Sequence, residues 1–198
     1  MRMFVAVRPP EAVVEDLDEF LSVRRDAGAF RWTRSDQIHC TLAFLAAVPD
    51  HRLDDLVERV AHAARRRTAF GTAIAGGGAF PDPARGRVLW AGLDLTAEAA
   101  TEIDGLAAGC RAAATRSGLE VDGQRFRPHL TVARIGRPTE LSNWVRLLDT
   151  YRGPRWPVDE IALVGSHLGE GPGRRPRYEV VATFGLGAGS ACGPPTAR

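Results

Sequence analysis

The chain has 198 residues, 44% hydrophobic and 25% charged, with a formal net charge of +2, enough to bury one substantial core or two closely joined lobes and too little charge to mark a nucleic-acid binder by itself. All the basic residues are Arg. Arg suits phosphate through its planar fork, but in a chain so rich in Ala, Gly and Arg this usage reflects genomic base composition. The apolar opening Met1–Val7 is stopped by Arg8-Pro9-Pro10, and no run reaches the roughly 20 apolar residues of a membrane span. Cys40, Cys110 and Cys192 are odd in number and widely spaced, which argues against a disulfide framework. A cytoplasmic protein without membrane association is expected.

Residues 3–7 read as a strand. Pro9-Pro10 then opens a helix in which Val13, Val14, Leu17, Phe20 and Leu21 recur at helical spacing, closed by Gly28. A second strand follows Trp32, with Ile38, Cys40, Leu42 and Phe44 on one parity and His39, Thr41 and Ala43 on the other. Pro49-Asp50 begins a helix carrying Leu53, Leu56, Val57, Val60 and Ala61. Strands near 70–80 and 87–95 form a hairpin around Pro81-Asp82-Pro83. Thr96 caps a helix running to about Arg116, ended by Gly118, and the basic loop Gln124-Arg125-Phe126-Arg127-Pro128 leads into a strand at His129. A helix near 140–150, a strand near 158–168, the Gly- and Pro-rich loop 169–176 and a strand near 178–186 complete the pattern. Residues 187–198 read as a disordered tail beyond a single domain spanning 1–186.

Both halves therefore run helix, His-x-Thr strand, helix, strand, strand. Trp90 follows His39 by 51 positions and Tyr178 follows His129 by 49. The prediction is an α+β fold, duplicated and bilobal with pseudo-twofold symmetry, in which antiparallel sheets line a central groove and helices lie outside.

The repeated phrase, His39-Cys40-Thr41-Leu42 and His129-Leu130-Thr131-Val132, carries the chemistry. Residues two apart on a strand share a face, so each phrase presents one imidazole and one hydroxyl. Imidazole titrates near neutrality, so one ring can accept a proton while its twin donates one. The Thr hydroxyls can donate to an anion between them, and a phosphodiester is the obvious substrate. Two buried histidines satisfied by neighbouring Thr hydroxyls are the structural alternative. Arg134 reaches the same face only if the strand bulges near Ala133. Arg127 precedes Pro128, which fixes an extended approach without saying where the side chain goes. Trp32, Phe44 and Trp90 could stack on a base, although Phe44 has the parity of the core. His51 and His62 fall on solvated helix faces, and His167 sits near a strand end as a groove-rim candidate.

The motifs resemble those of the RNA 2′,3′-cyclic phosphodiesterases, also called 2′-5′ RNA ligases, of the two-histidine phosphoesterase superfamily. The resemblance rests on Met3-Phe4-Val5-Ala6-Val7 with Pro9-Pro10, on Trp32 before His39-Cys40-Thr41-Leu42-Ala43-Phe44-Leu45, and on Gly78-Ala79-Phe80-Pro81. It continues through Val88-Leu89-Trp90-Ala91-Gly92-Leu93, Arg127-Pro128-His129-Leu130-Thr131-Val132-Ala133-Arg134 and Ser166-His167-Leu168 before Tyr178. Two departures are Ala46-Ala47, where the family commonly has Gly after Phe-Leu, and Gly165, where many relatives carry a basic residue. The resemblance implies hydrolysis of a terminal 2′,3′-cyclic phosphate on RNA ends or nucleotides to a 2′-phosphate, with no metal or other cofactor and no obligatory protein partner. His39 would protonate the leaving 3′ oxygen, His129 would activate water, and Thr41, Thr131 and Arg134 would hold the phosphoryl oxygens. A reverse 2′-5′ ligation is also described for the family. Phe44, Arg127 and His167 remain candidate substrate contacts. The competing readings are a metal-dependent hydrolase with His39 and His129 as ligands, for which companion ligands at zinc spacing are missing, and a non-catalytic module that binds RNA ends.

Overall fold

A computed structural model describes residues 1–123, 125–171, 173 and 175–187. Each helix forms where one apolar stripe can be buried. Helix α1 (Glu11–Ser22) buries Val13, Val14, Leu17 and Leu21, and α2 (Leu53–Arg65) buries Leu56, Val60 and Ala64. The Thr96 side chain accepts a hydrogen bond from the Ala99 amide to start α3 (Ala97–Arg116), which buries Ile103, Leu106 and Cys110. Helix α4 (Ser142–Asp149) buries Leu148.

The strands are β1 (Met3–Val7), β2 (Arg31–Trp32), β3 (Cys40–Leu45), β4 (Phe70–Phe80), β5 (Gly86–Asp94), β6 (Leu130–Thr139), β7 (Arg152–Val158), β8 (Glu160–His167) and β9 (Arg177–Gly185). They make one curled antiparallel sheet in the order β7-β4-β5-β6-β3-β1-β8-β9, with β2 added to β6. The two halves meet where β3 and β6 touch, through the single register pair Cys40↔Leu130. On one face Met3, Val5 and Val7 join the helices in the main core. On the other, Phe4, Ala6, Ala162 and Val164 form a small apolar floor with Phe44 and Tyr178.

Three boundaries differ from the sequence reading. Helix α1 ends at Ser22, and a short 3-10 turn at Arg25–Ala27 fills the distance to Gly28. β7 was not expected, because Pro154 and Pro157 argue against a strand; it occupies the edge of the sheet, where missing amide donors are tolerated. Gly187 belongs to the fold and not to the tail, since its amide donates to the Arg67 carbonyl at 2.7 Å; residues 188–198, like Gln124 of the basic loop, lie outside the described residues.

The repeat in chain order is crossed in space. The hairpin β4–β5 that follows the first His-x-Thr strand pairs with β6, which carries the second, and the β8–β9 pair joins β1 and through it β3. Each repeat's closing strand pair thus lies on the side of the sheet that carries the other repeat's histidine.

Candidate active site

Two matching irregularities build the site. Between Val5↔Ala43 and Ala6↔Thr41 the pairing advances one residue on β1 but two on β3, leaving Leu42 as an extra residue. Between Leu89↔Ala133 and Trp90↔Thr131 it does the same on β6, leaving Val132 extra. A bulge resets the alternation of faces, so Thr41 and Phe44, three apart, both line the cleft, as do Thr131 and Arg134. The Val132 carbonyl is taken up by the Thr33 amide at 2.9 Å, which satisfies the backbone the bulge would otherwise leave unpaired.

The pair Cys40↔Leu130 joins the two strands at the residues that directly follow His39 and His129, and both imidazoles line one cleft with Thr41 and Thr131. Each ring is held the same way. His39 Nδ1 lies 2.7 Å from the Gln37 carbonyl and His129 Nδ1 lies 2.7 Å from the Arg127 carbonyl, in each case two residues upstream. A carbonyl only accepts, so Nδ1 carries the proton and the neutral ring keeps its lone pair on Nε2.

Aromatic side chains fix the ring planes. His39 stacks on Phe4 at a centroid distance of 4.5 Å and meets the Tyr178 ring edge-on at 5.6 Å. His129 stands edge-on to Phe80 at 4.9 Å and to Trp90 at 6.1 Å. Trp90 can lie beside it because the residue across the ladder is Gly78, where a Cβ would come within 2.0 Å of the indole.

Burial lowers the pKa of His39 to about 4, against the pull of the Gln37 carbonyl toward the charged form; the positive surroundings of His129, Arg134 and Arg8 add to the drop. Burial also lowers the pKa of His129, with Arg127 and Arg134 acting in the same direction. Both rings are therefore neutral at pH 7. The cleft has a volume of about 510 Å³. It holds both histidines, both threonines and Arg134, together with Arg2, Arg31, Gln37, Ser166, Arg175 and Tyr178.

The LigT-like phosphoesterase family matches residues 7–90 and 93–173, most of the chain. The chain belongs to that family. An RNA 2′,3′-cyclic phosphodiesterase of Aquifex aeolicus is 30% identical over 161 residues, covering 79% of this chain and 82% of the relative. One of Geobacillus stearothermophilus is 29% identical over 186 residues and 92% of this chain, which spans 56% of that relative's length. The crystal structure of TT0787 of Thermus thermophilus superposes with a TM-score of 0.72 at 29% identity, covering 94% of this chain and 98% of that one.

In this LigT-like phosphoesterase His39, Thr41, His129, Thr131, Arg134, Phe44 and Trp32 share the cleft. Phe44 leaves the core parity through the bulge at Leu42, and the Arg2 guanidinium lies 4.6 Å from its ring centre. Arg127 lies outside the main cleft, its guanidinium 4.5 Å from the Trp90 ring centre, and borders an adjoining depression with His129 and Thr41. Trp90 is buried and supports His129. His167 is turned away from the cleft: its Nε2 lies 3.1 Å from Glu179, and its neighbour Ser166 takes the cleft position. Gly165 is on that same outer face, where a Cβ would meet Met1 and Val181. Among the described residues no group of three or more His, Cys, Asp and Glu could hold a metal ion, and no helix is long and apolar enough to cross a membrane.

Sequence reasoning missed Arg2, Arg31, Ser166 and Arg175. The one available signal was the strand parity that puts Arg2 on the side of Phe4, and the side of that strand facing the site could not be known without its partners.

Proposed function

We propose that this phosphoesterase hydrolyses the terminal 2′,3′-cyclic phosphate of RNA to a 2′-phosphate, without a metal, by acid and base catalysis between His39 and His129. One observation carries the reading: both rings give Nδ1 to a backbone carbonyl, so two Nε2 atoms face one cleft between two Thr hydroxyls. The names of the relatives agree with it.

Water attacks phosphorus in line with the bond to the 3′ oxygen. His129 Nε2 takes the water proton, the P–O3′ bond breaks, and the proton on His39 Nε2 goes to the departing oxygen. Thr41, Thr131 and Arg134 donate to the non-bridging oxygens, where negative charge grows. The substrate's own charge favours the protonated ring, because an anion within a few ångströms raises a histidine pKa. A 5′ hydroxyl in place of water gives a 2′-5′ linkage by the same proton transfers, which accounts for ligation within one site.

The test is to supply a nucleoside 2′,3′-cyclic phosphate in EDTA and identify the product by phosphorus NMR. A 2′-phosphate is expected. A 3′-phosphate would reverse the leaving group, a requirement for added metal would overturn the acid–base scheme, and tight binding without turnover would make the protein a binding module.

A further inference from the structure

We propose that Arg31, with Arg175, forms a second phosphate subsite beside the reactive one, which takes the 5′ phosphate of the terminal nucleotide, so that the preferred substrate is an oligonucleotide and not a mononucleotide. This rests on the cyclic phosphodiesterase reading and names its substrate class more closely.

The first observation is a like-charge pair imposed by the sheet. β2 adds to β6 with Arg31 directly opposite Arg134. Like charges directly opposite on neighbouring strands destabilise a sheet, and both side chains line the cleft. Neither makes an ion pair with a carboxylate among the described residues. An anion lodged against them offsets the repulsion.

The second is the charge balance of the cleft. Arg2, Arg31, Arg134 and Arg175 line it, and Asp122 is the one carboxylate among the described lining residues. With both histidines neutral the excess is three positive charges. A cyclic phosphodiester carries a single negative charge, so the reactive group leaves at least two unmatched. The third is placement. Arg175 Nη1 donates to the Trp32 carbonyl at 2.9 Å, which holds its guanidinium beside β2, next to Arg31. The Gln37 amide meanwhile donates to the Pro176 carbonyl at 2.6 Å, tying the same loop to the segment that leads into His39. Arg31 and Arg175 therefore gather along β2 beside Arg134, within reach of the next phosphate of a strand whose end is held at the histidines.

The experiment compares kcat/KM for a mononucleoside 2′,3′-cyclic phosphate and for a dinucleotide ending in the same group, in the wild type and in Arg31→Gln. The wild type is expected to favour the dinucleotide by about tenfold or more, the size of one charge-assisted contact. Arg31→Gln should lose most of that preference, its loss on the dinucleotide exceeding its loss on the mononucleotide several-fold. The salt slope of dinucleotide binding should fall by about 0.7, one phosphate contact on a single strand. Equal losses on both substrates would put Arg31 on the reactive phosphate and overturn the subsite, as would a wild type indifferent to length. If neither substrate is turned over, the cyclic phosphodiesterase reading fails by itself. Calorimetry with mono- and dinucleotide 2′-phosphates then still decides the subsite: tighter dinucleotide binding that Arg31→Gln abolishes supports it, and equal binding overturns it.

Discussion

The two halves of the cleft share a backbone and differ in chemistry. Each has a His-x-Thr strand, a bulge after the Thr and an Nδ1 bond to the carbonyl two residues upstream. Three residues past the Thr, however, one half places Phe44 and the other Arg134. His39 lies flat on Phe4 over an apolar floor, whereas His129 is held by ring edges beside Arg127 and Arg134. The bulge is thus a device for turning the residue at that position into the cleft, and the side chain placed there decides whether it offers an apolar surface or a charge. Symmetry supplies two equivalent imidazole positions; the departures from symmetry set the surface beside each.

The largest effects come from what the halves share. His39→Ala and His129→Ala should each lower kcat by about 10²- to 10⁴-fold, the usual contribution of one proton-transfer group, measured on a nucleoside 2′,3′-cyclic phosphate. If one variant keeps near-normal turnover, the halves are not partners in catalysis. The positions where they differ should separate more mildly. Arg134→Ala removes a charged donor worth about 1.5–3 kcal/mol and should lower kcat/KM accordingly. Phe44→Ala leaves the donors in place and should cost about 0.5–1 kcal/mol, the scale of an exposed cation–π contact; equal losses would erase the distinction. Gly78→Ala tests the support of one ring only. Its Cβ would overlap the Trp90 indole, so overpacking of about 1–3 kcal/mol should lower the melting temperature and reduce turnover through His129, while the His39 ring signals in an NMR spectrum stay in place.

The strands of the site and the shared face of each His and Thr were legible in the sequence because period-2 alternation is a local property. Arg134 and Phe44 were not, because each depends on a bulge, and a bulge is set by the partner strand. Parity alone put Phe44 in the core and turned Arg134 away. The family resemblance supplied the role expected of Arg134, and the register shift opposite Leu89 and Trp90 explains its place in the cleft. β7 escaped because its prolines are tolerated only at an edge, and which strand is the edge follows from the sheet order. The crossed pairing was equally hidden. Trp90 and Tyr178 stood at matching distances after His39 and His129, yet each packs against the other repeat's histidine, since spacing along the chain does not say which hairpin joins which strand.

Dependence on pH separates the halves by their burial. Both rings titrate below 6.5 in the free protein, with His39 at about 4. The proposed acid–base chemistry needs one ring charged and one neutral, so kcat/KM should peak below pH 6.5 and fall as the pH rises through neutrality. The optimum for kcat should lie higher, because the bound phosphate raises both values. An NMR titration of the free protein should show the His39 ring changing near pH 4; a change at or above 6.5 would mean that the ring is not buried on Phe4. The same displacement links to stability. A folded-state pKa below the unfolded value means that the unfolded chain binds more protons between pH 6.5 and 4. The contribution of neutral His39 is therefore complete above pH 6.5 and is lost as the pH falls toward 4. His39→Gln, which cannot titrate, should lose less melting temperature across that window than the wild type, and an identical loss would assign the acid sensitivity to other groups.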